Sequence, residues 1–508
     1  MLPPDFRWPL IGRLQSLAQI LGLSITIAGL STEAPAATVP DPRSTVGAWS
    51  ALAPWPLIPI HMVMTRDGRI MSYGTNAAGR SSGYFIYDIW KPSDGLNGDH
   101  LTLPNGTNTN IFCSAQVLMP QSGDILIAGG DSGVGDDVDN IGVASSTVLR
   151  NADKTLVKGA DMNRVRWYAT TTSLPNGEVY IQGGDQGGDF PEVRSRGGKF
   201  RLLTGAATSS VHWSYPRNWV APDGRIFGVS NNAMYYVDWR GTGKFTSAGT
   251  MPGSFGTKST EAMYAPGKIL RVGGGPTSSV ASANLATIDI NGSSPVVKSV
   301  EKLPYGLHWS TATILPDGKV VVTGGSLASN KLTGVNSKAL IWDPATERWT
   351  QGASTSSGKA RLYHSTAILL YDGSVLVGGG GAPGPQTNTN VELYYPPYMF
   401  RADGQRLRRP RILASPSSLK VGTDFTLTVD DGAKVGRVTL VKTGSVTHSF
   451  NMDQRFMELP FTRDGNVLSV KAPTKNTIAT PGFYMLFVLD KQGVPSLAKI
   501  KAMYVTAS

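Results

Sequence analysis

Cys113, the only cysteine in the 508 residues, lies in the stretch NIFCSAQVLMPQSG, seven residues before Pro120. Tyr168 stands at the same interval before Pro175, and Trp309 before Pro316. His364 is seven residues before Tyr371, which takes the place of proline in the turn YDG, and Tyr363 directly precedes it. Phenol oxygens and imidazole nitrogens are good ligands for Cu(II) in a tetragonal N/O arrangement. Each residue alone is commonplace: a single tyrosine at a strand start usually packs, and a single buried thiol is usually inert. The shared interval sets this group apart. Consecutive residues of a regular strand face opposite sides. Tyr363 and His364 can therefore meet at one site only if the chain is irregular where the strand begins.

The interval belongs to a repeat. HMVMTRDGRIMSYG (61–74), QVLMPQSGDILIAGG (116–130), TTSLPNGEVYIQGG (171–184), NWVAPDGRIFGVS (218–230), EAMYAPGKILRVGGG (261–275), TATILPDGKVVVTGG (311–325) and TAILLYDGSVLVGGGG (366–381) share one grammar. Each has an apolar strand, a Pro/Asp-Gly turn, a second apolar strand and usually a Gly pair. Aromatic strands such as YFIYDIW and VELYYPP follow several of them. The spacing is roughly 50 residues, with a double interval between Gly184 and Gly274, which is the kelch signature of four strands per propeller blade. Residues 38–405 are thus expected to form a seven-bladed kelch-type β-propeller, and equivalent positions of its blades to ring the central axis. Cys113 and Tyr168 fall in neighbouring blades.

The grammar changes after the basic stretch RADGQRLRRPRI. Residues 406–508 show alternating strands without Gly pairs, the pattern of an immunoglobulin-like β-sandwich. The fold class expected is all-β. Composition agrees: 59 Gly and 33 Pro without low-complexity tracts mean many turns, and 40% apolar with 16% charged residues suits a large core. Residues 1–37 carry Arg7 and Arg13, an apolar run, and the small residues Ala34-Pro35-Ala36-Ala37. This is the layout of a cleavable secretory signal peptide, so a secreted or envelope location is expected. A net charge of +11 favours acidic polysaccharide or envelope surfaces as surroundings, and scattered basic residues argue against nucleic acid. The protein is expected to act as a monomer.

The motifs FCS (112–114), RWYAT (166–170), RLYHSTAILLYDGSVLVGGGG (361–381) and VTHSFNMDQR (446–455) resemble the galactose oxidase and glyoxal oxidase family of copper radical oxidases. They occur in the family's order across nearly the whole mature chain. The resemblance implies one copper ion held by Tyr168, Tyr363, His364 and His448, with His448 supplied by the C-terminal domain. It implies a thioether between Cys113 and the ring of Tyr168, which would carry a radical, and a base role for Tyr363. It implies oxidation of a small primary alcohol, aldehyde or carbohydrate, with dioxygen reduced to hydrogen peroxide. Gln454 and Arg455 would orient the His448 loop. Where galactose oxidase places a Trp over the thioether, this sequence has Gln186, and RWYAT lies nearer the glyoxal oxidases. The remaining histidines are His61, His100, His212 and His308; His61 and His308 also begin strands near the axis, where the alternative is contact with the metal ligands, and packing or solvent is the expectation. The alternative from another class is a kelch adhesion or carbohydrate-binding module without chemistry.

Overall fold

A computed structural model describes residues 40–276 and 279–504. The expected signal peptide, 1–37, lies outside the described residues. Among the described residues, the strands before residue 400 fall into seven antiparallel groups of at least four. Their innermost members are His61–Met64, Ala115–Leu118, Trp167–Ser173, Arg217–Val220, Ser259–Ala265, Thr311–Ile314 and Ser365–Leu369. From His61–Met64 to Arg217–Val220 each inner strand packs on the next. Ser259–Ala265, Thr311–Ile314 and Ser365–Leu369 do likewise, and the last returns to His61–Met64. The ring is closed by chain pairing. Ala48–Trp49, from the start of the described chain, pairs with Asn390–Tyr395 in register Ala48↔Tyr395 and Trp49↔Tyr394, completing the seventh group.

The repeat grammar explains these groups physically. The turn glycine has positive φ, as at Gly177 (83°) and Gly318 (84°), which lets two apolar strands reverse tightly. The first glycine of a pair makes room for the next group: a Cβ on Gly183 would meet the Trp213 carbonyl at 2.4 Å, and one on Gly129 the Arg166 carbonyl at 2.2 Å. Buried ion pairs tie the strand starts down. Arg166 pairs with Glu192 at 2.9 Å and Arg361 with Glu392 at 3.1 Å. Each arginine also donates to a carbonyl of its own group's Gly pair, Gly183 and Gly379 respectively.

The C-terminal region is a sandwich. One sheet runs Ile412–Ala414, Phe425–Val429, Val467–Val470, Phe461–Asp464, and the other includes Val435–Lys442, Gly482–Asp490 and Lys499–Tyr504. Leu427, Val438, Leu440, Leu468, Leu486 and Val488 lie fully buried between them. One hairpin leaves this sandwich. Ser445–Thr447 pairs with His61–Met64, while Phe450–Leu459 runs parallel to Ser259–Ala265. Together the two arms of the hairpin pack against all seven inner strands, so they occupy the axis of the ring. The described residues from 40 to 504 accordingly form one compact unit.

Candidate metal centre

The ring positions share a backbone signature. Cys113 (φ 55°), Tyr168 (73°), Trp309 (62°) and His364 (66°) are all left-handed, and so is Tyr215 (40°), seven residues before Pro222. Positive φ is uncommon for a side-chain-bearing residue. Its recurrence at one register shows that each chain kinks there before entering its strand. The kink removes the alternation conflict. Tyr363 and His364 lie side by side with ring centroids 3.8 Å apart and planes at 25°, and Trp167 and Tyr168 do the same at 3.9 Å and 18°.

His448 arrives from the axial hairpin. Thr447 pairs with Phe450, leaving His448 (φ 45°) and Ser449 (66°) as a two-residue turn with both central residues left-handed. That geometry is the tight hairpin turn matching strand twist, usually built from Asn and Gly. Here it projects an imidazole into the ring. Arg217 steadies the turn by donating to the His448 carbonyl at 3.4 Å, and Thr260 donates to the Ser449 carbonyl at 2.7 Å. Gln454 and Arg455 stand further down the hairpin. Gln454 accepts from the Ile314 amide, and Arg455 donates to the carbonyls of Thr477 and Ile478. They anchor the second arm of the hairpin rather than the histidine turn itself.

The structure brings together all five residues expected at the site. Cys113 Sγ lies 3.8 Å from His364 Nε2 and 3.9 Å from His448 Nε2, and all three residues are buried. The phenol oxygens of Tyr168 and Tyr363 touch. Ring centroids of His448 and Tyr168 are 4.8 Å apart, those of His448 and His364 4.7 Å. Both histidine tautomers are fixed by their neighbours. His364 Nδ1 donates to the Gly381 carbonyl at 2.9 Å. The Thr447 hydroxyl gives its proton to the Ile60 carbonyl, so it accepts from His448 Nδ1 at 2.6 Å. Both Nε2 lone pairs therefore face the cluster. Burial pushes His364 down to about 3 and His448 well below its ordinary value, so both imidazoles are neutral. Burial likewise raises Cys113, Tyr168 and Tyr363, so all three are protonated unless a nearby cation favours their anions. Two neutral imidazole nitrogens and two converging phenol oxygens fit Cu(II) in its N/O preference.

Two neighbours were not anticipated. Tyr215 stacks on both Tyr168 (4.7 Å) and His448 (4.5 Å), and its hydroxyl donates to the Ser114 carbonyl at 3.1 Å. The seven-residue interval to Pro222 was the signal for it. Trp167 covers the face of Tyr168, whereas Gln186 is exposed. The cover thus comes from the residue before the tyrosine. Trp309 packs on Tyr363 at 4.8 Å. His61 stacks on Tyr73 at 4.4 Å and bonds Gln116 Oε1 through Nδ1; His308 accepts from the Ser329 amide. His100 bonds Asp88 at 2.7 Å, and His212 is exposed.

Residues 409–502 match the family model of the galactose oxidase-like early set domain. The chain is 28% identical to a galactose oxidase of Gibberella zeae over 498 residues, covering 90% of this chain and 70% of that one. It is 27% identical to the aldehyde oxidase GLOX of Vitis pseudoreticulata over 440 residues, 77% and 81% of the two chains. In fold it is similar to a fungal alcohol oxidase of the AA5 family in complex with copper, with TM-score 0.79 and 23% identity over 90% of this chain and 99% of that one.

Proposed function

We infer that this chain, a homologue of galactose oxidases and of glyoxal-type aldehyde oxidases, is a copper radical oxidase that converts a primary alcohol or aldehyde while reducing dioxygen to hydrogen peroxide. The observation that carries this reading is the clustering of two neutral imidazole nitrogens with the only cysteine, their rings packed against two tyrosines whose phenol oxygens touch. Bound there, copper would supply one-electron redox chemistry and Lewis acidity toward the substrate oxygen.

In this reading His364 and His448 would hold the ion through Nε2, and Tyr168 and Tyr363 through oxygen. Their hydrogen-bonded Nδ1 partners, Gly381 and Thr447, keep those lone pairs aimed. Tyr363 receives the substrate hydroxyl proton at its phenol oxygen, as a base placed by its position. Tyr168 supplies the second one-electron site and takes hydrogen from the substrate carbon. Cys113 sulfur joins the Tyr168 ring: an S–H and a ring C–H are lost, an S–C bond forms, and dioxygen takes up the two electrons and two protons. Sulfur on the ring donates electron density and makes the radical easier to form. Trp167 lies over Tyr168 and excludes water from that face.

The substrate class we propose is small aldehydes and alcohols, with glyoxal-like compounds at least as good as galactose. RWYAT and Trp167 in place of a Trp at Gln186 support this. A peroxide-release assay on glyoxal, methylglyoxal, glycerol, benzyl alcohol and galactose tests it. Peroxide from the first two at the highest rates is expected, and galactose as clearly the best substrate would overturn the class. No copper and no peroxide would return the chain to an adhesion module. Export with cleavage after Ala37 is part of the proposal, and N-terminal sequencing of secreted protein checks it.

A further inference from the structure

A line of aromatic rings leads from Tyr168 to the surface. Trp167 stacks on Tyr168 at 3.9 Å, Trp213 lies 6.1 Å from both, and His212 stacks on Trp213 at 5.5 Å and 20°. Exposure increases along the line: Tyr168 is buried, Trp167 and Trp213 are half-buried, and His212 is exposed. The backbone holds the rings in place. Tyr215 N donates to the Tyr168 carbonyl at 2.8 Å and Gly184 N to the Trp213 carbonyl at 2.9 Å. Gly183 approaches that same Trp213 carbonyl where a side chain would clash.

Electron transfer weakens steeply with distance, and indole is among the most readily oxidised side chains. Two indoles with ring centroids 6.1 Å apart, one of them stacked on Tyr168, offer shorter steps than a single transfer from solvent to a buried phenol. A purely structural cover over Tyr168 would require Trp167 alone.

We propose that Trp167 and Trp213 form a one-electron relay through which an oxidant at the His212–Trp213 surface brings Tyr168 to its radical state. The proposal rests on Tyr168 being the radical residue. One electron moves per event: the acceptor, an outer-sphere one-electron oxidant such as hexachloroiridate(IV) or a high-potential redox protein, gains it and Tyr168 loses it. With Tyr168 bound as phenolate no proton moves. The relay would let the enzyme be switched on, or returned to its active state after gaining an electron, without the oxidant reaching the metal site itself.

The test uses the full copper-loaded chain in its one-electron-reduced form, mixed with hexachloroiridate(IV) and followed by the rise of radical absorbance. Trp213→Phe is expected to slow that rise about tenfold, ~1.4 kcal/mol of barrier. Trp213→Tyr, whose phenol can be oxidised, is expected to restore most of the rate. Phe and Tyr pack alike, so a structural role would not separate them. Copper affinity and thioether mass are expected to match wild type in both variants. Equal rates in wild type and Trp213→Phe would overturn the relay while leaving the oxidase reading intact. A cross-linked wild-type protein that never shows radical absorbance would overturn the radical reading and the relay with it.

Discussion

A left-handed backbone at Tyr168 and His364 places two neighbouring rings on the same side of the chain. Such residues cost of order 1–3 kcal/mol each and persist where the surroundings over-determine them. Cys113, Tyr168, Tyr215, Trp309, His364 and the His448–Ser449 turn all carry this strain around one point. His448→Ala should weaken copper binding at least tenfold, ~1.4 kcal/mol, because a neutral, pre-aimed lone pair is lost, while the fold persists. Copper titration with circular dichroism checks both parts, and unchanged affinity would remove His448 from the ligand set. Cys113→Ser should keep copper, since the imidazoles and phenols remain, but lose most peroxide release. The ring register was legible in the sequence because a fixed interval to the turn needs no knowledge of the fold. Tyr215 stands at that interval too, but a tyrosine next to Pro216 carries no other chemical sign. Trp167 was obscured by the alternation rule, which fails where φ turns positive.

Single elements explain why the site holds its shape. Ser449 occupies a position that suits glycine, so Ser449→Gly should stabilise the chain by about 1 kcal/mol, read from denaturant midpoints. An unchanged midpoint would contradict backbone strain at this position. The buried pairs behave oppositely. Glu192→Gln leaves the Arg166 guanidinium buried with a weakened partner, and breaking such a pair costs about 3–5 kcal/mol. Melting should show that loss together with slower formation of the site, because Arg166 braces the chain just before Tyr168. The seven hairpins were readable from their turn glycines and Gly pairs, which follow from tight reversal and close packing of neighbouring groups. The axial hairpin was not. Phe450–Leu459 has an ordinary strand composition, and its burial, complete as far as Met457, comes from surroundings distant in sequence.

At the scale of the whole molecule, the ring and the sandwich depend on one another. The hairpin fills the axis, and Lys442–Asp453 at 2.8 Å and the Ser173–Asp453 bond at 2.8 Å join its arm to both parts. The basic stretch between the two parts is also engaged: Arg406 lies over Tyr395 at 4.1 Å and over Phe400 at 4.6 Å. Burial raises Tyr73, Tyr235 and Tyr484 above the ordinary 10.0. In the unfolded chain these phenols ionise near 10, so the folded state binds more protons above that pH. Their stabilisation is complete below pH 10 and is lost as pH rises further, by up to about 1.4 kcal/mol per pH unit for each tyrosine. Melting of metal-free protein between pH 8 and 11 should show this fall, and a flat profile would contradict it.

The most direct measurement is the mass of the chain and of its Cys113 and Tyr168 peptides after metal-free protein is treated with Cu(II) and oxygen. The account predicts a mass lower by two hydrogens, a cross-linked peptide pair and a Cys113 that no longer reacts with alkylating reagent. An unchanged mass with Cys113 fully alkylated would contradict it.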